Sequence, residues 1–324
     1  MRKIILSLIA LILTPTLAPM AAHADPCAPR APVAPALARL ETAMVTNRFI
    51  AYNPTELKVV DGNITIASPE SIRADLKALR PHFDALITYS ARDGNEHVAK
   101  IAQELGFKAL IIGLWTPSDP DEIRNAVAMA KAYPNLVVGI SLGNEIVLAN
   151  RGKWKNMGSY VAQMRARLPN MPLTVTEPFA QFLEGDARET LPSLDFMLVN
   201  IHPIFEDWFP SAPPANWADF VVKVTDQLAA KFCGPVIVKE TGVPTGPTDM
   251  GFTLEKQTAF WRELERQMPA TKSRAFSYFA AFDAPWRVSD FNPVAGHHPE
   301  EAYWGFMTDK REPKPVLTGL PAKP

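Results

Sequence analysis

The chain has 324 residues, with 33 basic and 34 acidic side chains and a formal net charge of -1. This length is normal for one α/β barrel and long for most other single domains. The balanced charge gives no reason to expect a nucleic acid or an anionic membrane as partner, whereas a neutral substrate would fit.

The first 24 residues have the pattern of a secretory signal peptide. Arg2 and Lys3 precede a mostly apolar stretch over 4–17, and residues 22–24 (Ala-His-Ala) form a small-x-small cleavage pattern. A membrane anchor is the alternative, but the apolar stretch is short for a span and Pro15 interrupts it. We therefore expect export with cleavage after Ala24, to the periplasm or the medium, and no membrane attachment afterwards.

Residues 26–38 are rich in proline and alanine, which predicts an extended arm without a core of its own. We therefore divide the mature chain into an arm over 25–45 and one catalytic domain over 46–324. The two cysteines, Cys27 and Cys233, either form one bridge between the arm and the barrel in an oxidising compartment or remain as two thiols. They are far apart and have no nearby histidine, so they do not form a zinc signature.

After the arm, apolar segments alternate with amphipathic helical patterns to the end of the chain. Several of these segments are continuous rather than alternating, as in parallel strands that are buried on both faces. The predicted strands are 48–52, 85–89, 109–114, 136–142, 173–176, 196–202, 236–239 and 275–282.

Capping signals mark several of the helices between these strands. Ser68 followed by Pro69, and Asp119 with Glu122 three residues later, are typical helix starts. Residues 177–191 have no clean apolar stripe and predict a short or irregular crossover. Eight strands alternating with helices predict a single (β/α)8 TIM barrel. An open doubly wound sheet is the alternative, but no glycine-rich fingerprint for a dinucleotide follows the first strand.

In such a barrel the active-site residues lie at the C-terminal ends of the strands. Glu145 follows the fourth strand and Glu240 follows the seventh, so the two carboxyl groups would face each other across the barrel mouth. Glycoside hydrolysis requires such a pair, about 5 Å apart when the configuration is retained. For either residue alone, an acid at a helix N-terminus is the structural alternative. The residues at the strand ends are Tyr52, Tyr89, Trp115, Asn144, Glu145, Glu177, His202, Glu240 and Asp283.

Four aromatic residues near these strand ends have two interpretations each. Trp286 and Trp304, after the last strand, could stack on the faces of sugar rings or pack the last strand and helix. Tyr52 and Tyr89 could orient a catalytic carboxylate or fill the core. We retain all four as candidate substrate-binding residues.

The remaining polar candidates are His202, Glu177 and Asp283. His202 has no acid or histidine at ligand spacing, so we interpret it as a hydrogen-bonding residue of the cleft or a core histidine, and not as a metal ligand. Glu177 and Asp283 could bind sugar hydroxyl groups or tune the charge of the site. Residues 297–298 (His-His) lie in a loop and are expected to be solvated.

Three motifs resemble glycoside hydrolase family 17, the β-1,3-glucanase family. Residues 143–145 (Gly-Asn-Glu) and 240–244 (Glu-Thr-Gly-Val-Pro) are similar to its two catalytic signatures, and 281–287 with 302–305 resemble the C-terminal end of bacterial members. Thr176-Glu177 and His202-Pro203 also match, so the likeness covers nearly the whole mature chain. Two positions depart from the family, because Val243 and Phe205 stand where tryptophan is usual.

The resemblance implies that Glu145 is the acid/base and Glu240 the nucleophile of a retaining enzyme acting on a β-1,3-glucan. The adjacent Asn144 can donate a hydrogen bond to the sugar 2-hydroxyl. No metal or other cofactor is needed. A β-1,3-glucan glucanosyltransferase with the same two glutamates is the alternative activity, and a non-catalytic periplasmic sugar-binding protein is the rival class. The latter would have two lobes and no need for opposed glutamates. We expect a monomer whose partner is a β-glucan oligo- or polysaccharide.

Overall fold

The computed structural model of the chain describes residues 27–60, 62–289 and 298–321. The predicted signal peptide with its cleavage site, and also His297, lie outside these residues. Within them, eight parallel strands form one closed barrel, in which each strand pairs with the next and the last pairs with the first. The prediction of a (β/α)8 barrel is confirmed. The barrel strands are β1 (Phe49–Tyr52), β2 (Ala85–Thr88), β3 (Ala109–Leu114), β4 (Val137–Asn144), β5 (Leu173–Pro178), β6 (Met197–Asn200), β7 (Val236–Glu240) and β8 (Arg274–Tyr278).

The helices alternate with these strands, and the two predicted caps are present. The Ser68 hydroxyl accepts the N–H of Ser71 at 3.2 Å, and the Asp119 carboxylate accepts the N–H groups of Asp121 and Glu122 at 2.8 and 3.0 Å. Among the described residues, no helix is long and apolar enough to cross a membrane. The helices are α1 (Ala34–Thr46), α2 (Pro69–Leu79), α3 (Val98–Glu104), α4 (Pro120–Ala132), α5 (Trp154–Arg167), α6 (Phe179–Leu183), α7 (Pro214–Ala229), α8 (Leu254–Gln267) and α9 (Pro315–Thr318).

Some element boundaries differ from the predicted ones. β8 ends at Tyr278 rather than at 282, although the sequence stays apolar, and the N–H of Ala280 donates to the carbonyl of Trp304 instead. A short hairpin of Val59–Val60 and Asn63–Ile64 was not predicted, because two-residue strands leave no apolar pattern. The crossover after β5 is irregular, as predicted, with the short α6 and two 3-10 turns.

Helix α1 closes the N-terminal end of the barrel. Its side chains Leu37, Leu40 and Met44 are buried in one cluster with residues from the starts of the strands, including Phe49 and Ile237. The prediction of an extended arm is therefore wrong from residue 34 onward, and the helix crosses the predicted boundary between residues 45 and 46. The proline content was misleading because Pro35 lies in the first helical turn, where proline is tolerated, and alanine and leucine favour the helix that follows.

A disulfide holds the segment before α1 to the barrel. Cys27 and Cys233 are bonded, with their Cα atoms 4.9 Å apart, so of the two alternatives for the cysteines the structure contains the bridge. Nearby, Asp195 accepts hydrogen bonds from Arg30 at 2.5 Å and Arg165 at 3.0 Å. The N-terminal segment is thus attached to the barrel by a covalent bond and an ion pair.

The strands that precede the two glutamates both contain an irregularity. In β4, Ser141 pairs with Thr174 but Asn144 pairs with Thr176, so β4 has one residue more than β5 over this stretch. In β7, Val238 and Glu240 pair with consecutive residues of β6, which leaves Lys239 as the extra residue. Such bulges redirect side chains and are frequent next to active sites. Here they allow consecutive residues to reach the barrel mouth.

Candidate active site

Glu145 is the first residue after β4 and lies at the mouth of the barrel. Its backbone φ is 53°, a left-handed conformation that costs a non-glycine residue on the order of 1 kcal/mol. The surrounding contacts hold it there: the N–H of Glu145 donates to the carbonyl of Thr176 at 2.9 Å, and Oε1 accepts a hydrogen bond from Asn200 Nδ2 at 2.8 Å. The Glu145 carboxyl group is thereby fixed in direction.

Glu240 is the last residue of β7, and its side chain is buried. Its Oε2 lies 3.6 Å from His202 Nε2, and its Oε1 lies 3.4 Å from Lys239 Nζ. The backbone is held from the neighbouring strand, because the N–H of Ile201 donates to the Glu240 carbonyl at 2.8 Å. The carboxylate therefore lies between a histidine and a buried ammonium group.

Asn200 connects the two glutamates. It pairs with Glu240 in the register of β6 and β7, and its side-chain amide binds Glu145. The sequence predicts the sixth strand over 196–202, which places Asn200 in a strand interior and does not indicate it as a site residue. The structure ends β6 at Asn200 itself, and this places its amide at the mouth.

The surroundings move the pKa values of the two carboxyl groups in opposite directions. Burial, followed by the negative charge of Glu240, raises the pKa of Glu145. Burial also works to raise the pKa of Glu240, but the Lys239 ammonium and the nearby His202 side chain outweigh it and lower this pKa to about 2. Two neighbouring carboxyl groups whose pKa values are driven apart can act as one proton donor and one anion.

Asn144 and Tyr89 also belong to the site. Asn144 is buried, and its Oδ1 accepts a hydrogen bond from Lys239 Nζ at 2.6 Å. The Lys239 Nζ also lies 3.8 Å from the centre of the Tyr89 ring. Burial, and then the charge of Glu240, raise the pKa of Tyr89, which places this tyrosine beside the carboxylate. Lys239 was missed from the sequence, although a lysine in an otherwise apolar strand is itself a signal of a buried polar site.

Tyr52 does not reach the mouth, so its predicted role as a sugar-binding residue is wrong, whereas the role of the partly buried Asp283 in binding sugar remains a prediction. The Tyr52 hydroxyl donates to Asp75 Oδ2 at 2.9 Å in the fully buried layer between the barrel and α2. Asp283 Oδ1 accepts hydrogen bonds from Lys314 Nζ at 2.7 Å and from the N–H of Gly305 at 2.8 Å. The Tyr52 contact holds the end of β1 to α2, and the Asp283 contacts join the loop after β8 to the C-terminal segment.

Glu177 supports the loop that follows Glu145 and is not a sugar ligand. It is almost fully buried, and its two oxygens accept the N–H groups of Val147 at 2.8 Å and Leu148 at 3.2 Å. Burial raises its pKa to about 7. The prediction that Glu177 binds hydroxyl groups is therefore wrong, and the residue contributes by holding the backbone near the acid.

The effect of this buried carboxyl group on stability can be measured. Because the pKa of Glu177 is about 7 in the folded protein and near 4.5 in a free glutamate, the folded state binds the proton more tightly. This contribution to the free energy of unfolding is present below about pH 4.5 and decreases by about 3 kcal/mol as the pH rises through 7. We expect Glu177→Gln, which carries no charge and keeps one acceptor oxygen, to gain about 3 kcal/mol of unfolding free energy relative to the parent protein between pH 4 and pH 8. Urea denaturation at both pH values measures this difference, and parallel pH dependences in the two proteins would contradict it.

The aromatic candidates divide into buried and exposed ones. Trp304 is only 2% exposed, and its ring packs 5.3 Å from His202 and 5.0 Å from Phe279. Trp304 therefore packs against His202 and does not present a free ring face on which a sugar could stack. Trp286 is half-buried in a 3-10 turn after β8, and its role in binding sugar remains a prediction. His298, predicted to be solvated, is instead paired with Glu300 at 2.6 Å.

Exposed aromatic rings lie on the loops after β3 and β6. Trp115 is 44% exposed and Phe205 is 53% exposed. The loop of Trp115 is fixed by the buried Glu122, which accepts the N–H groups of Trp115 and Thr116 at 2.8 and 2.7 Å. In the part of the chain that the structure describes, no group of three or more His, Cys, Asp or Glu side chains could hold a metal ion.

The barrel fold is similar to that of several solved glycoside hydrolases. A glycoside hydrolase family 17 β-1,3-glucanosyltransferase from Rhizomucor miehei is similar over 84% of this chain and 96% of its own, with 20% identity and a TM-score of 0.63. An endo-laminarinase from Formosa is similar over 83% and 85%, with 18% identity and a TM-score of 0.64. A β-D-glucuronidase from Dictyoglomus thermophilum is similar over 85% and 49%, with 16% identity and a TM-score of 0.60.

Sequence comparison gives the family. No curated protein matches the chain. The family described as the BtgE/BtgC glycoside hydrolase domain matches residues 50–305, which include β2 to β8, all of β1 except its first residue, and every residue of the site described above. The predicted likeness to family 17 agrees with this match and with the solved structures. Both glutamates, their strands and their neighbours lie within the matched region, and the chain is a member of the BtgE/BtgC glycoside hydrolase domain family.

Proposed function

We propose that the protein is a retaining glycosidase that cleaves β-1,3-linked glucan through a covalent glycosyl-enzyme intermediate. The observation that carries the proposal is the carboxyl pair of Glu145 and Glu240. Both lie at the ends of barrel strands, both contact Asn200, and their pKa values are displaced in opposite directions. A sugar-binding protein has no need for such a pair.

The reaction follows from the state of each carboxyl group. Glu240, held as an anion, attacks the anomeric carbon while Glu145 transfers its proton to the glycosidic oxygen. The bond between the anomeric carbon and that oxygen breaks, the leaving sugar departs with the proton, and a glycosyl ester forms on Glu240. Glu145, now ionised, then removes a proton from the acceptor hydroxyl, which attacks the anomeric carbon and releases Glu240 as a carboxylate.

The choice of a β-1,3-glucan rests on the catalytic motifs and on the similar structures. The motifs at 143–145 and 240–244 resemble those of the β-1,3-glucanase family, and two of the similar structures are named as an endo-laminarinase and a β-1,3-glucanosyltransferase. The exposed rings of Trp115 and Phe205 offer flat apolar faces to sugars on the loops beside the mouth. They are also suited to hold an acceptor sugar, so glucanosyl transfer is the second candidate activity.

The substrate prediction can be tested with purified oligosaccharides. We expect turnover of linear β-1,3-gluco-oligosaccharides well above that of β-1,4-linked oligomers of the same length, measured as kcat/KM from the release of reducing sugar. Equal or faster turnover of the β-1,4-linked series would refute the assignment. Mass analysis of the same reactions at high donor concentration decides between the activities, because transfer gives products longer than the donor and hydrolysis gives only shorter ones.

Export is the remaining part of the proposal. The N-terminal pattern of residues 1–24 predicts a signal peptide, and the Cys27–Cys233 bridge fits a protein that matures in an oxidising compartment. We therefore assign the enzyme to the periplasm or the medium, where β-glucans are accessible.

A further inference from the structure

We propose that Lys239 is a positioning residue that holds Asn144 in its productive orientation and keeps the two glutamates in different charge states. The proposal rests on the assignment of Glu145 and Glu240 as the reacting pair. Three contacts of the Lys239 Nζ carry it: Asn144 Oδ1 at 2.6 Å, Glu240 Oε1 at 3.4 Å and the Tyr89 ring centre at 3.8 Å. The Lys239 side chain is almost completely buried, so water does not take the place of these protein contacts.

The contact between Lys239 and Asn144 spans the interior of the barrel. Lys239 lies on β7 and Asn144 on β4, and two further strands separate β7 from β4 around the barrel. A hydrogen bond between their side chains therefore crosses the space beneath the mouth and joins the two strands that carry the glutamates. The bulge at Lys239 makes this geometry possible, because both Lys239 and the next residue, Glu240, are brought to the site.

The bond also determines which way the Asn144 amide faces. A lysine ammonium group can only donate, so it holds the amide oxygen of Asn144 and leaves the amide nitrogen directed away from it. In that orientation Asn144 presents N–H donors to the bound sugar. Without Lys239 the amide could rotate and present its oxygen, which cannot donate a hydrogen bond to a hydroxyl oxygen.

The positive charge of Lys239 acts on both carboxyl groups. It lowers the pKa of Glu240 and also, more weakly, that of Glu145. Other groups face the same pair: His202 and Arg287 act on Glu240, and the Asn200 amide bonds to Glu145. Tyr89 lies beside Glu240, and the charged groups of Glu177 and Arg151 also interact with Glu145. Removing the Lys239 charge should therefore raise the pKa of both glutamates.

The test compares Lys239→Met, which removes the charge and the donor, with Lys239→Gln, which removes the charge and keeps an N–H donor. We expect kcat/KM on β-1,3-gluco-oligosaccharides to fall about tenfold to a hundredfold in Lys239→Met and less in Lys239→Gln. Both limbs of the pH profile should move to higher pH, by about one to three units for the acid limb. A residue with a purely structural role would lower activity and leave both limbs in place, and that result would overturn the proposal.

The role of the amide is tested by combining Lys239→Met with Asn144→Ala. If Lys239 acts through Asn144, the double variant should lose little more activity than Asn144→Ala alone, after allowance for the shifted pH optimum. Fully additive losses at the optimum of each variant would contradict the orientation of Asn144 by Lys239.

A second measurement needs neither substrate nor activity. In protein with ¹³C-labelled glutamate, the Glu240 carboxyl signal, identified by its loss in Glu240→Gln, should titrate below the usual range in the parent protein. It should titrate higher in Lys239→Met. A normal or raised pKa in the parent protein refutes the proposal even if the Lys239 variants fail to fold. The titration also separates this proposal from the assignment of a glucan substrate, which the oligosaccharide assays test.

Discussion

Replacing Glu240 by alanine is expected to reduce cleavage of β-1,3-glucan by at least about a thousandfold, because no covalent intermediate can form without the carboxylate. Glu145→Ala should cause a loss of about a hundredfold to ten-thousandfold on the same substrate, since proton delivery to the leaving oxygen is removed. Glu189→Ala, at an exposed position on the crossover after β5, is the matched control and should retain activity. If neither catalytic substitution lowers kcat/KM by about a hundredfold, the site is wrongly located.

The same variants assign the two roles. A substrate with a good leaving group needs little protonation, so Glu145→Ala should still form the glycosyl-enzyme from it, and azide should then release the β-glycosyl azide with retained configuration. In Glu240→Ala, azide should attack the substrate directly and give the α-azide. NMR of the azide product measures the anomeric configuration. The opposite pattern, α from the Glu145 variant and β from the Glu240 variant, would exchange the two roles.

Removing the disulfide should cause a large loss of stability. The Cys27–Cys233 bridge joins residues 206 positions apart, and cross-links over long segments restrict the unfolded chain strongly. We expect a double Cys→Ser variant to lose about 2–4 kcal/mol of unfolding free energy, measured by urea denaturation. The bridge lies at the end of the barrel opposite the mouth, so the folded variant should keep its kcat.

Reduction provides the control for this experiment. Dithiothreitol should lower the stability of the parent protein to that of the Cys→Ser variant and should leave the variant unchanged. Thiol labelling of the unfolded and unreduced parent protein should detect no free cysteine. Two labelled thiols would show that the bridge does not form in the mature protein.

The barrel itself could be predicted from the sequence because its strands are continuous apolar segments. Such segments are visible without any knowledge of their partners, and the glutamates at the ends of β4 and β7 follow from the strand order alone. Helix α1 was missed for the opposite reason. A proline in the first turn of a helix and prolines in an extended arm look the same in a sequence, and only the apolar face that α1 buries against the barrel distinguishes them.

The roles of the other polar residues could not be predicted. The role of each residue depends on the face of the strand to which its side chain points. A bulge of one residue reverses that direction, and neither the bulge in β4 nor the one in β7 has a sequence signal. The sequence therefore did not indicate Lys239, whereas Asn200 was not predicted because the predicted sixth strand continued past it to residue 202. Tyr52, at a regular strand end, points outward to Asp75 and was wrongly taken as a cleft residue.

The packed interior of the barrel also limits how molecules can enter and leave the site. Because buried strand side chains such as Ile111, Val138 and Leu198 fill the space between α1 and the mouth, the site has one opening and the barrel is not a tunnel. A glucan chain cannot be threaded through it and has to lie across the opening, so the length of the polymer does not restrict binding. The water that completes hydrolysis must enter by the same opening that an acceptor sugar uses. A sugar bound there would obstruct the path of water to the intermediate, and the outcome of each turnover would depend on which of the two occupies the opening first.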